Sequence, residues 1–112
     1  MADSEGTLIL RDYLPQYLNT GEALEAFLAQ IEKDLQFELN STLPREVFQQ
    51  TKKCLEQRAM AGEIMPLLYR VDIDESIATD LLKKDDWEGL TGAVLRRIAK
   101  KLSFRFSTGD QK

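Results

Sequence analysis

Three carboxylates stand close together in the middle of the chain, at Asp72, Asp74 and Glu75, where their spacing could serve metal chemistry. Oxygen ligands at alternate positions are typical of a calcium-binding loop. Counted from Asp72, however, the sixth position is Ile77 instead of glycine, and the twelfth is Lys83 instead of glutamate. Since those positions supply the sharp turn and the bidentate ligand, we interpret the acids as a strand end and a helix cap. We predict no metal site and no acid–base pair, because nothing in the sequence gives two carboxylates different environments.

The groups available for catalysis are largely reduced to carboxylates and lysines, since the chain has no histidine and a single cysteine, Cys54. A reactive thiol needs a nearby base, a cation or a helix N-terminus to lower its pKa. Lys52, Lys53 and Arg58 are close in sequence, but Cys54 falls inside a predicted helix, on or near its apolar face. We therefore predict a buried structural cysteine. The sequence predicts neither an enzyme nor a cofactor.

The carboxyl-terminal part of the chain combines cations with aromatic side chains, over residues 96–106. Such a mixture can bind phosphates and stack single-stranded bases, or lie on an anionic membrane. It can equally be the solvated face of a helix whose cations complement the helix dipole. A further reading pairs these cations with residues 1–34, which hold seven acidic and two basic side chains. That pairing would form within one molecule, or head to tail between two copies.

We predict that this end of the chain, together with Trp87, contacts a partner. Tryptophan is enriched among the residues that dominate binding at protein interfaces, and Trp87 stands beside two acids at the start of the last predicted helix. Aromatic side chains that pack on nothing within one molecule would mark such an interface. The candidate partner-binding residues are Trp87, Arg96, Arg97, Lys100, Lys101, Phe104, Arg105 and Phe106.

The size and charge of the chain limit its class. Its 112 residues are typical of one domain, and its net charge of -4 argues mildly against a dedicated nucleic-acid binder. We predict a single domain over 1–112 with disordered tails at 1–6 and 107–112. The sequence shows neither a secretory signal nor an apolar stretch long enough to span a membrane. One cysteine allows no internal disulfide, which fits a reducing compartment, so we predict a cytoplasmic location.

Apolar side chains recur at helical spacing in two long segments, 22–39 and 44–61. Pro44 suits the first turn of the second helix, and Gly62 suits the position just beyond its end. Because the connection between them is short, we expect the two helices to pack as an antiparallel hairpin. The predicted inward-facing residues are Leu24, Phe27, Leu28, Ile31 and Leu35 in the first helix, and Val47, Phe48, Thr51, Cys54, Leu55 and Arg58 in the second.

The middle of the chain allows two interpretations. Residues 68–73 belong to an alternating pattern rich in β-branched and aromatic side chains, which favours an extended segment or a short edge strand. Pro66 could instead open a helix there. Asp74 is then predicted to cap a helix over 75–84, with Ile77, Leu81 and Leu82 facing inward.

The last helix is predicted over 86–102, because an apolar stripe runs along it, from Leu90 through Val94, Leu95 and Ile98 to Leu102. Two short segments outside the helices are further strand candidates. They are 7–14, which can also be a leading segment before the first helix, and 104–106. Thr20 is the predicted cap of the first helix.

Together these patterns predict a mainly α fold. It is a small bundle of three to four helices, in which the antiparallel hairpin packs against the last helix. One or two short strands can accompany the bundle, and the sequence does not decide whether they pair. Its expected function is that of a non-catalytic protein–protein interaction module, such as an adaptor, a regulatory subunit or a chaperone-like protein. The partner would be another protein or a second copy. The alternative is a nucleic-acid-associated regulator that uses the basic last helix.

Overall fold

The fold is described from a computed structural model, which gives the backbone of residues 21–110 and the side chains of residues 25–102 apart from Pro44. This part of the chain is mainly helical and contains no strand, which confirms the predicted mainly α class, but it has five helices instead of the predicted three to four. The predicted amino-terminal tail, the segment 7–14 and the cap at Thr20 lie outside the described residues. The helices are α1 (Gly21–Leu35), α2 (Pro44–Met60), α3 (Ile64–Val71), α4 (Glu75–Lys83) and α5 (Trp87–Asp110).

Helix α5 is the centre of the fold, because each of the other four helices packs against it. Its apolar stripe is buried as the sequence predicted, together with Ala99. The predicted inward faces of α1 and α2 are also buried for the most part, and Arg58 and Leu28 are the half-buried exceptions among the described residues. One continuous core results, and α5 supplies its largest share: Leu90, Val94, Leu95, Ile98, Ala99 and Leu102.

Each of the first four helices ends with one residue in the left-handed conformation. A backbone hydrogen bond across five residues follows in each case, for example from the Ile73 N–H to the Leu68 carbonyl at 3.0 Å. This is the Schellman ending, which satisfies the last carbonyls of a helix. Glycine is the usual residue there because it has no Cβ, but only one of the four is glycine. They are Gln36, Gly62, Asp72 and Asp85.

The hairpin of the first two helices is not confirmed, because α1 and α2 pack mainly against α5 and little against each other. Helix α1 ends at Leu35, earlier than predicted, since Gln36 turns left-handed. The connecting segment then runs back along α2. The guanidinium of Arg58 donates to the Leu35 and Gln36 carbonyls at 3.0 and 2.9 Å, and farther along the Asn40 N–H donates to Gln50 at 2.8 Å. The connection therefore covers α2 instead of reversing the chain in a tight turn.

The strand predicted over 68–73 is wrong, because Ile64–Val71 forms helix α3. The buried residues Leu67, Leu68 and Val71 repeat at helical spacing. Tyr69, which the alternating pattern placed on the same side as Leu67 and Val71, is exposed. Pro66 is accommodated because it lies in the first turn, where its missing N–H has no helical partner. The segment packs against α1, α2 and α5, and this packing outweighs the β-propensity of its residues.

Two further expectations about the second half of the chain need correction. Ile77 does not face inward but is 52% exposed, and Ala78 is the buried residue of α4. Helix α5 continues through Asp110, so the backbone at 104–106 is helical and forms no closing strand. An alternation of only three residues is a weak indication of a strand. After residue 102 the sequence has no helix-breaking residue before Gly109, so the helix continues. The disordered tail predicted at 107–112 stays a prediction.

Candidate protein-interaction surface

Two of the predicted partner-binding cations are bound within the molecule, both at the end of α3. The guanidinium of Arg97 lies 2.6 Å from the Asp72 carboxylate. The ammonium of Lys101 donates to the Val71 carbonyl at 3.3 Å. Since Val71 is the last residue of α3 and Asp72 its left-handed ending, these cations hold the end of that helix against α5.

Lys101 also faces Asp34, near the end of α1. Its ammonium lies 3.9 Å from one carboxylate oxygen of Asp34, whose side chain is only 12% exposed. The other carboxylate oxygen accepts from the Gln30 amide at 2.9 Å, and Arg70 approaches the Asp34 carbonyl at 3.4 Å. Asp34 belongs to residues 1–34, the acidic part of the sequence that was predicted to pair with the basic last helix. The contact between Lys101 and Asp34 is one such pair, and it forms within one molecule.

The other predicted partner-binding residues are spread over the molecule. Arg96 and Lys100 are exposed on α5. Trp87 is half-buried and packs against the core at the start of that helix, about 21 Å along the helix axis from Lys101 at 1.5 Å per residue. The side chains of Phe104, Arg105 and Phe106 lie outside the described ones. The structure therefore does not bring Trp87 together with the basic residues into one site.

An apolar groove lies instead between α3 and α4, with a volume of about 310 Å³. Its floor contains the buried residues Leu68 and Ala78, and one side presents Met65 and Tyr69, which are 41% and 88% exposed. Large apolar side chains that stay exposed around a buried floor are typical of an interaction surface. We call this feature the α3–α4 groove; it is lined by Met65, Pro66, Leu68, Tyr69, Ile73, Glu75 and Ala78.

One end of the α3–α4 groove is acidic, since Glu75 is part of its lining and Asp74 stands next in the chain to the lining residue Ile73. Asp74 is the predicted cap of α4: its carboxylate accepts from the Ser76 hydroxyl at 2.6 Å and from the Ser76 N–H at 2.9 Å. These hydrogen bonds, and a weaker one from the next backbone N–H, lower the pKa of Asp74. The groove thus combines an apolar interior with a negatively charged end.

Cys54 lies beside a second groove, of about 300 Å³, between α2 and the segment that connects it to α1. Burial raises the pKa of the Cys54 thiol, and the neighbouring Arg58 only partly opposes this. The thiol is therefore protonated at neutral pH, as expected for a structural cysteine. Among the described residues, no group of three or more Cys, Asp or Glu side chains is arranged to hold a metal ion.

Met65 and Tyr69 are the residues that sequence reasoning missed. The alternating pattern grouped Tyr69 with Leu67, Val71 and Ile73 on one side of a strand, so it did not single out Tyr69 as an exposed residue. The signal that could have found it is the helical reading of the same segment: with Leu68 and Val71 inward, Met65 and Tyr69 fall one turn apart on an outer face.

Comparison with known proteins gave no match: no family model matches the chain, and neither a curated protein nor a solved structure is significantly similar to it. None of the helices within the described residues combines the length and the apolar character needed to cross a membrane. The functional interpretation therefore depends on the residues and their geometry alone.

Proposed function

We propose that this protein is a non-catalytic protein–protein interaction module that binds a segment of its partner in the α3–α4 groove. The observation that supports this most is the exposure of Tyr69, 88%, beside a floor formed by fully buried side chains. Tyrosine loses little conformational entropy on binding and buries a large area, which is why it is enriched at interfaces. A partner that covers Met65 and Tyr69 would remove this apolar surface from water.

The groove also indicates what the partner segment contains. An apolar side chain suits the interior, and a cation suits the end at Glu75 and Asp74, whereas Asp72 is already paired with Arg97. An amphipathic helix that lays an apolar face into a groove is a common recognition mode. The partner segment is therefore expected to be basic and to carry at least one large apolar residue.

Selection of peptides from a random displayed library tests this function. The full chain is the bait, and each enriched peptide is measured against Met65→Ser and Tyr69→Ser variants. Met60→Ser is the matched control, since Met60 is also 88% exposed but does not line the groove. We expect basic peptides with a large apolar residue, whose affinity falls about tenfold or more in the groove variants and is unchanged in the control. Enrichment of no peptide, or equal losses in all three variants, would contradict the proposal.

The alternative, a nucleic-acid-associated regulator, has less support. Of the basic residues on α5, Arg97 and Lys101 are engaged with Asp72, Val71 and Asp34. A phosphate would have to displace those contacts, which costs affinity. Titration of a single-stranded oligonucleotide at several salt concentrations, with Lys100→Glu as the variant, tests the alternative: strong, salt-dependent binding lost in Lys100→Glu would favour it.

A further inference from the structure

Two methionine side chains are exposed on the surface, whereas the cysteine is buried. Met60 is 88% exposed and Met65 is 41% exposed. Cys54 is 5% exposed, and its thiol is protonated at neutral pH because burial raises its pKa. A thioether does not titrate, so its reaction with a peroxide depends on access and not on pH. Among the described residues, the sulfur side chains that an oxidant reaches in the folded chain are therefore those of Met60 and Met65.

The two methionines differ in their surroundings. Met65 lines the α3–α4 groove, one helical turn before Tyr69, whereas Met60 is at the end of α2 and does not line the groove. Met65 is also not one of the side chains that form the core. A change in the polarity of Met65 would therefore alter the groove and leave the packing of the helices intact.

Oxidation of a methionine makes an apolar side chain polar. The thioether sulfur donates an electron pair to one oxygen of hydrogen peroxide, so that an S–O bond forms as the O–O bond breaks. The second oxygen leaves as hydroxide and takes the proton from the first, which gives the sulfoxide and water. The sulfur is oxidised and the peroxide is reduced. A methionine sulfoxide reductase reverses the change with a dithiol, which becomes a disulfide while the sulfoxide oxygen leaves as water.

We propose that Met65 is a reversible oxidation site and that its sulfoxide prevents binding in the α3–α4 groove. This inference rests on the proposed function and names its regulation. The partner segment packs an apolar side chain against Met65 and Tyr69. A sulfoxide oxygen facing that side chain would lose its hydrogen bonds to water and gain none from the partner, which costs affinity. The bound segment also covers Met65, so it protects this sulfur from peroxide while Met60 stays accessible.

Treatment of the full chain with hydrogen peroxide tests this site, with mass spectrometry to locate the added oxygen and titration of a peptide selected from the displayed library. Each affinity is compared with that of the same variant before peroxide. We expect a loss of about tenfold or more in the parent and in Met60→Leu, and of less than about twofold in Met65→Leu. Methionine sulfoxide reductase with dithiothreitol should restore the affinity of the parent.

Protection by the peptide is the second measurement. With peptide at about ten times its dissociation constant, the oxidation of Met65 should slow about tenfold, because the groove is then free in only a small fraction of molecules. The oxidation of Met60 in the same sample should not change.

The results separate this inference from the proposed function. Three outcomes would overturn the oxidation site and leave the interaction module in place: full affinity of a chain oxidised at Met65, equal losses in Met65→Leu and the parent, or a Met65 that stays unmodified while Met60 is oxidised. A fall in helix content on oxidation, measured by circular dichroism, would overturn it as well, because the loss of affinity would then come from unfolding. Failure of the untreated chain to bind any peptide, or bound peptide that does not slow the oxidation of Met65, would overturn both.

Discussion

Lys101 and Lys100 are neighbours in one helix, but only Lys101 should matter for stability. We consider replacement of each lysine by methionine, which keeps the apolar stem and removes the charge. In Lys101→Met, the Val71 carbonyl loses its donor at 3.3 Å, and the buried carboxylate of Asp34 loses the cation at 3.9 Å. Lys100→Met changes a side chain that is exposed and that forms no ion pair with a described residue, so no such contact is lost.

The magnitude follows from the distance and the burial. At 3.9 Å the attraction between unit charges is about 1 kcal/mol in bulk water and about 4 kcal/mol at an effective dielectric constant of 20. Ordering a long lysine side chain offsets up to about 2 kcal/mol of this. We therefore expect Lys101→Met to lower the free energy of unfolding by about 1–2 kcal/mol. For a domain of this size that is a fall of about 4–8 °C in Tm. Lys100→Met should stay within about 0.5 kcal/mol of the parent.

Urea denaturation followed by circular dichroism gives both free energies. Asp34→Asn in the Lys101→Met background is the decisive addition, because asparagine still accepts from Gln30 but carries no charge. Part of the lost stability should return, giving a coupling of about 1 kcal/mol in the double-mutant cycle. Equal free energies of unfolding for the Lys100 and Lys101 variants would refute the assignment of Lys101 to an internal ion pair. The absence of coupling with Asp34 would refute it too.

Three further predictions concern a helix ending, a helix cap and the thiol. Gln36→Gly should raise the free energy of unfolding by about 0.5–1 kcal/mol in urea denaturation, because glycine adopts the left-handed conformation at lower cost; a loss of stability would contradict this. The pKa of Asp74 is lowered in the folded state, so its contribution to stability is present above its ordinary value of 3.8 and is lost as the pH falls through the lower folded pKa. Asp74→Asn keeps a capping oxygen that does not titrate, so its acid unfolding curve should be shallower than that of the parent; identical curves would exclude the cap as a source of acid sensitivity. The Cys54 thiol, whose pKa burial raises, should react with a disulfide reagent at pH 8 at least about tenfold more slowly in the folded chain than in urea; equal rates would show that the thiol is open to solvent.

The sequence by itself determined which segments are helical where the apolar period is long. The apolar stripes of α1, α2 and α5 could be predicted because each repeats over three or more helical turns. That repetition is a property of one segment and does not depend on the helices packed against it. The cap at Asp74 and the ending at Gly62 were readable for a similar reason, since the hydrogen bonds and backbone angles involved are local.

Only the tertiary structure decided the conformation of the two-turn segment at Ile64–Val71, which fits a strand or a helix until its neighbours are placed. It also decided which cations remain available, because Arg97 and Asp72 are 25 residues apart in the chain and no local pattern joins them. The α3–α4 groove depends on the helical conformation of Ile64–Val71, because that helix supplies four of the lining residues. The physical reason is that side-chain exposure is a property of packing between elements, whereas amphipathic spacing is a property of one element alone.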